Sequence, residues 1–284
     1  MYWLPILGAF ALGSGTILQK VILRKRKIDI RLYFSTEFLA IVLLLFPIIF
    51  FFWKFEALAF SIKNIFILGL VVFFSILANL FALYAMKKEK VEKIEPAKLL
   101  EPLFVILLVI CFSYIFGQTL YSTDSRIVIP SIIAGFALIF SHIKKHHLEF
   151  NKYFLAAIAG SFFFAVELVL SRLILDFYNP ISFYFIRSLL VFIIIFFIFR
   201  PEFSKLNSKI MGEIFLMGII WVIYRIVVYY GYITLGVIST TLVLMLAPIF
   251  VYLMAYNFLH EKIHWRNIVA SIIIVACIIY AYVG

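Results

Sequence analysis

Gly231-Tyr232-Ile233-Thr234-Leu235-Gly236, a hexapeptide without a charge, decides how this chain is divided. It lies within an apolar run that extends from 210 to 259. One helix over that run would be about 75 Å long at 1.5 Å per residue, against roughly 30 Å of bilayer hydrocarbon. The run is therefore cut at the hexapeptide into two crossings, 210–233 and 237–259. Outward from there the breaks are polar and easier to see: Arg24-Lys25-Arg26-Lys27, Lys54 to Lys63, Lys87-Lys88-Glu89-Lys90, Tyr121-Ser122-Thr123-Asp124, His142 to Asn151, Asn179-Pro180, Arg200-Pro201-Glu202 and His260-Glu261-Lys262. Between them lie spans at 3–23, 32–53, 64–86, 94–116, 127–143, 153–175, 181–199 and 267–283, which makes ten.

Composition demands the same class. The 284 residues are 66% hydrophobic and 14% charged, with a mean hydropathy of +1.15. Soluble domains keep about a quarter of their residues charged, so this surface faces lipid. Trp3, Trp53, Tyr121, Tyr153, Trp265 and Tyr282 fall at span ends, as an interfacial aromatic belt requires. The net charge of +11 resides in short connections between apolar runs, a topology signal rather than a nucleic-acid face. Cys111 and Cys277 lie inside apolar runs and suggest neither a disulfide framework nor a metal site. No basic segment precedes the first apolar run, so residues 3–23 read as a retained helix and not a cleaved signal.

An internal repeat is expected, with halves 1–147 and 148–284. Glu101-Pro102-Leu103-Phe104 aligns with Ala247-Pro248-Ile249-Phe250, each in the fourth span of its half. Phe116-Gly117-Gln118-Thr119-Leu120 aligns with Leu259-His260-Glu261-Lys262-Ile263, and Ser131-Ile132-Ile133 with Ser271-Ile272-Ile273. Ile6-Leu7-Gly8 stands opposite Ile158-Ala159-Gly160, and Tyr33-Phe34 opposite Tyr184-Phe185. Five helices per repeat is an odd number, so the second half enters the membrane in the opposite sense. Inverted repeats of this kind support alternating access about a midplane site.

On these residues the chain resembles the drug/metabolite transporter superfamily, EamA type. The likeness also rests on Gly13-Ser14-Gly15 before Lys20, on Tyr184-Phe185-Ile186-Arg187-Ser188-Leu189-Leu190, and on Leu259-His260-Glu261-Lys262-Ile263 closing the ninth span. Two positions depart from the pattern: Glu37 where the family often has arginine, and His260 where it has glycine. The resemblance implies a ten-helix carrier in the cell membrane that exports amino acids, other metabolites or drugs, with both termini cytoplasmic. Charge distribution implies the reverse orientation. Of the 25 Lys and Arg, 17 lie in connections after odd-numbered spans, and only Lys54, Lys63 and Arg126 lie in the others.

Ionisable groups within spans are costly, roughly 2.5–3.5 kcal/mol each on insertion scales, and persist where they line a cavity or pair. They are Glu37, Lys98, Glu101, Glu167, Arg172, Arg187 and Arg225; Lys20 and Glu95 lie nearer span ends, within snorkelling reach of the interface. Glu95, Lys98 and Glu101 are spaced along one helix face, between Pro96 and Pro102. That is either a pathway wall or a structural ladder. In the repeat alignment Glu37 falls near Arg187, and Asn79 opposite Arg225. Arg187 and Arg225 are candidates to meet a substrate carboxylate, and Glu101 or Glu37 to carry a coupling proton; the alternative is a fixed Glu37–Arg187 ion pair. Glu167 and Arg172, about one turn apart, are candidates to pair with each other. Tyr84, Trp221, Tyr224, Tyr229 and Tyr230 are candidate pocket aromatics or ordinary packing. His142, His146 and His147 read as a solvated loop.

The expected function is secondary transport of a small polar metabolite, amino acids first, by exchange or proton coupling. A lipid-linked headgroup flippase is the alternative within transport. The chain has no HExxH, GxSxG or Walker motif and no soluble catalytic domain, so neither an enzyme nor an ATP-driven pump is expected, and no cofactor.

Overall fold

The computed structural model describes residues 3–25, 28–88, 96–117, 120–142, 151–259 and 265–283. Eleven helices account for most of the described residues, and no strand occurs among them: α1 (Trp3–Lys25), α2 (Ile30–Phe52), α3 (Ile62–Lys88), α4 (Glu101–Phe116), α5 (Ser125–His142), α6 (Lys152–Leu175), α7 (Pro180–Phe199), α8 (Ser208–Thr234), α9 (Val237–Leu244), α10 (Ala247–Leu259) and α11 (Trp265–Val283). Among the described residues eight segments are long and apolar enough to cross a membrane, with α4 extended back to Pro96, and Ser125–Ser141 and Val237–Leu253 are shorter apolar helices. The protein is an all-α, multi-pass membrane protein. Its large exposed side chains, among them Phe50, Phe51, Phe197, Ile268 and Ile272, are the apolar coat such a chain turns to lipid.

The division at Gly231–Gly236 holds, and the two glycines do different work. Gly236 has φ +88°, a left-handed conformation that favours glycine, and makes the turn between α8 and α9. Gly231 is still helical, and a Cβ there would come within 2.6 Å of Thr240 Cγ2, so it is small to let α9 approach α8.

The ninth span is not the single helix expected over 237–259. It is broken at Met245–Leu246, just before Ala247-Pro248. The segment 94–116 shows the same feature, a turn at Leu99–Leu100 just before Glu101-Pro102. The cause is shared. Pro102 and Pro248 lack an N–H, so neither can donate to the carbonyl four residues earlier, and the preceding turn tightens. Leu100 N accordingly donates to Ala97 O, and Leu246 N to Val243 O. The even Glu95–Lys98–Glu101 face is therefore interrupted between Lys98 and Glu101. Glu95 itself lies outside the described residues, as do His146, His147, Gln118-Thr119 and His260-Glu261-Lys262.

Asparagine or aspartate sets several helix starts. Asp29 Oδ1 accepts from Arg31 N at α2, Asn151 Oδ1 from Tyr153 N and Phe154 N at α6, Asn179 Oδ1 from Ile181 N at α7, and Asn207 Oδ1 from Ile210 N at α8. The loops after α2 and α6 are clasped together. Asn179 N donates to Lys54 O and Glu56 N to Phe177 O, both at 2.9 Å. Ser182 Oγ adds a bond to Phe52 O at 2.8 Å and accepts from Lys54 N at 3.1 Å.

The helices associate in a regular scheme. α1 runs along α8 and α3 along α6; α2 packs on α7 and α5 on α11; α4 contacts α6, while α9 and α10 contact α1. Small residues permit the close approaches: Gly8 faces Val227, Gly160 faces the backbone of Ala82, and Gly218 faces Ala40.

Candidate functional site

Where these helices converge they enclose a cavity of about 220 Å³. Glu37, Asn79, Lys98, Glu101, Arg187, Tyr224 and Arg225, seven of the side chains singled out in the sequence, line it. Both proline-associated breaks border it, one through Leu99 and Pro102 and the other through Met245 and Pro248. Irregular backbone at membrane depth is tolerated where it lines a cavity.

Glu167, the eighth candidate, stands behind the wall and is fully buried. It does not pair with Arg172, which reaches Asp176 at 2.7 Å one turn further on. Glu167 instead serves two arginines from other helices. Arg225 Nη1 donates to its Oε2 at 3.1 Å. Arg187 Nε lies 3.0 Å from Oε1, a charge contact not aligned as a hydrogen bond. Tyr229 OH donates to Oε1 at 3.3 Å, and Ser171 Oγ, which donates to the Glu167 carbonyl at 2.7 Å, also lies 3.3 Å from Oε1. Arg187 Nη2 also donates to Ser75 Oγ at 2.6 Å, joining α7 to α3. The guanidinium groups face aromatic rings, Arg187 over Tyr184 and Arg225 over Phe164 and Tyr224. Two buried cations thus share one carboxylate, which leaves the cluster with one net positive charge.

Glu37 is built differently, and the Glu37–Arg187 ion pair is not formed. Its Oε1 accepts from Trp221 Nε1 at 2.8 Å, Tyr33 OH at 2.9 Å and Gln19 Nε2 at 3.3 Å. Three neutral donors from α1, α2 and α8 converge on one oxygen. The other oxygen, Oε2, is buried with no hydrogen-bond partner. No cation among the described residues forms a salt bridge with Glu37.

The remaining candidates have local partners. Lys98 Nζ contacts Met86 Sδ at 3.2 Å, and Asn79 Nδ2 donates to Ser75 O in its own helix at 2.8 Å. Of the candidate aromatics, Trp221 and Tyr224 line the cavity and Tyr229 serves Glu167, whereas Tyr84 is not in its wall and packs at a tilt against Tyr153. Gln19, Tyr33, Ser75 and Ser171 escaped the sequence reading because neutral polar residues are common in spans. Tyr33 carried one usable signal, its i, i+4 spacing to Glu37 on one helix face.

Residues 151–283 match the EamA-like transporter family. No curated protein matches the sequence. A solved structure described as a crystal structure of a protein shares the fold over nearly its whole length, with a TM-score of 0.68 at 15% identity, covering 99% of this chain and 95% of that one.

Proposed function

We propose that the chain, whose residues 151–283 match the EamA-like transporter family, is a drug/metabolite-type carrier: a secondary transporter of a small polar metabolite, amino acids foremost, working by alternating access. The observation that carries the proposal is the central cavity. Its mostly apolar wall carries five charged side chains from the spans, Glu37, Lys98, Glu101, Arg187 and Arg225, and such groups persist within spans where they serve a substrate or ion pathway.

The proposal includes an inverted repeat of two five-helix halves, and helix pairing supports it. α1 on α8 has its counterpart in α6 on α3: first helix of one half, third of the other. Gly8 and Gly160, aligned in sequence, each sit in the tight contact of one of those pairs. The paired breaks before Pro102 and Pro248 both border the cavity, where α4 and α9 of the equivalent fourth spans also touch each other. Rocking one bundle against the other would expose the cavity to each face in turn, with the clasp between the α2 and α6 loops opening in one of the two states.

Glu101 is the proposed proton carrier. It borders the cavity, and no ion pair or hydrogen bond engages its carboxylate among the described residues. Counterflow in proteoliposomes preloaded with amino acids, organic acids or amines tests the function. Saturable exchange of one class, driven by a pH gradient and uncoupled from it in Glu101→Gln, is expected. No exchange by folded protein would refute the transport reading, and unaltered coupling in Glu101→Gln would remove Glu101 from it.

A further inference from the structure

We propose that Glu37 is the anchor for the protonated amine of the transported molecule, its Oε2 accepting an ammonium N–H inside the cavity. The proposal rests on the transport reading above and assigns the chemical class of ligand to one atom.

The argument begins with an asymmetry between two contacts. The alignment that sets Asn79 opposite Arg225 also sets Ser75 opposite Trp221, and it brings Glu37 near Arg187. The structure joins these residues in corresponding ways. Glu37 on α2 is bonded to Trp221 on α8, and Arg187 on α7 is bonded to Ser75 on α3. Each is a contact from the second helix of one half to the third helix of the other. The charges are opposite, and so is their treatment. Arg187 meets its counter-charge within the protein, in Glu167. Glu37 is just as deeply buried, at 2% exposure, yet meets only neutral donors, and these all converge on one oxygen.

Oε1 is thereby fixed in place by Trp221, Tyr33 and Gln19, which also fixes the direction of Oε2. That second oxygen belongs to a residue on the cavity wall and has no partner. A buried polar atom left unpaired costs about 1–3 kcal/mol, and a carboxylate holding three donors is an acceptor still lacking a cation. A ligand ammonium supplies both the missing hydrogen bond and the missing charge. The surroundings favour an organic amine over a bare metal ion. Oε2 offers a single oxygen ligand, and the indole of Trp221 and the phenol of Tyr224 present rings to the same cavity. The Arg187–Glu167–Arg225 cluster spends its carboxylate internally and competes for no cation.

The ammonium has two natural sources, a simple amine or the α-amino group of an amino acid. Purified protein is titrated with three compounds sharing one skeleton: 2-phenylethylamine, phenylalanine and 3-phenylpropionate. Two readouts are taken, Trp fluorescence and protection of Glu37 from a hydrophobic carbodiimide, scored by peptide mass. The amine and the amino acid, or the amino acid alone, are expected to bind and to slow Glu37 modification, while the carboxylate does neither. Binding by both means the ammonium suffices; binding by phenylalanine alone means a second anchor holds its carboxylate. Glu37→Gln keeps an oxygen for the three donors and should weaken binding about tenfold to a hundredfold, the loss of one charge-assisted bond. Glu37→Asp keeps the charge and should bind better than Glu37→Gln. The carbodiimide measurement uses wild-type protein, so a poorly folding variant does not silence the test. Silence from both amines at millimolar concentration, binding by 3-phenylpropionate alone, or equal affinity in Glu37→Gln overturns the proposal. Counterflow of an anionic metabolite that survives Glu37→Gln would overturn it while leaving the transport reading intact.

Discussion

Replacing Glu167 by glutamine tests the energetics of the cavity's foundation. The substitution preserves volume, and the amide oxygen can still accept from Tyr229. The amide nitrogen, however, turns a donor towards Arg225 Nη1, which now lies 3.1 Å from a carboxylate oxygen. Removing one partner of a buried ion pair costs about 3–5 kcal/mol, because the other charge is left uncompensated. Here one carboxylate serves two cations, both almost fully buried, so the upper part of that range, about 4–5 kcal/mol, is expected. Equilibrium unfolding by SDS in mixed micelles, followed by circular dichroism, measures the loss. A double substitution gives the internal control. Glu167→Gln with Arg225→Met restores the cluster's net charge of one, so the pair should be less destabilised than Glu167→Gln alone. Additivity within about 0.5 kcal/mol would mean the sites do not interact. That result, or a single variant within about 1 kcal/mol of wild type, would refute the argument.

Three further outcomes follow from geometry. A Cβ on Gly160 would lie 3.0 Å from Ala82 N and 3.3 Å from Ala78 O, so Gly160→Ala must push α3 and α6 apart and should cost about 1–3 kcal/mol. Gly218→Ala meets the flexible Leu44 Cδ1 at 3.0 Å and Ala40 Cβ at 3.3 Å, and should unfold measurably later than Gly160→Ala in the same titration. Ser182→Ala removes two hydrogen bonds of the clasp and should lower stability by about 1–2 kcal/mol, with faster amide exchange at Asn179 and Glu56.

The spans were legible because most breaks carried charge or an Asn-Pro pair, and the one at Gly231–Gly236, with glycines alone, was forced by length. Asn151 and Asn179 stood in two of those breaks, whereas Asn207, which caps α8, was not singled out in the sequence. The broken ninth span was not expected over 237–259, although Pro248 stood in the sequence; an apolar run without a charge gave no boundary at Met245–Leu246. The site divides along similar lines. That charged residues would gather at one cavity followed from the cost of burying them, and Glu37, Lys98, Glu101, Arg187 and Arg225 did, while Glu167 and Arg172 did not. Which charge meets which did not follow. Glu167 and Arg172 are near in sequence, but Arg172 found Asp176 one turn on, and Glu167 found arginines of α7 and α8. Contacts between helices far apart in sequence are set by packing, which periodicity does not encode.

The measurement that tests the central claim most directly is counterflow through a cavity that can be blocked at will. Asn79→Cys, in a background with Cys111 and Cys277 replaced by alanine, places one thiol on the cavity wall. Exchange in proteoliposomes is measured before and after reaction with a bulky methanethiosulfonate, and again after reduction. The account predicts saturable exchange that is lost on modification, protected by substrate, and restored by reduction. Exchange that continues unchanged after complete modification would show that the transported molecule does not pass through this cavity, and would contradict the account.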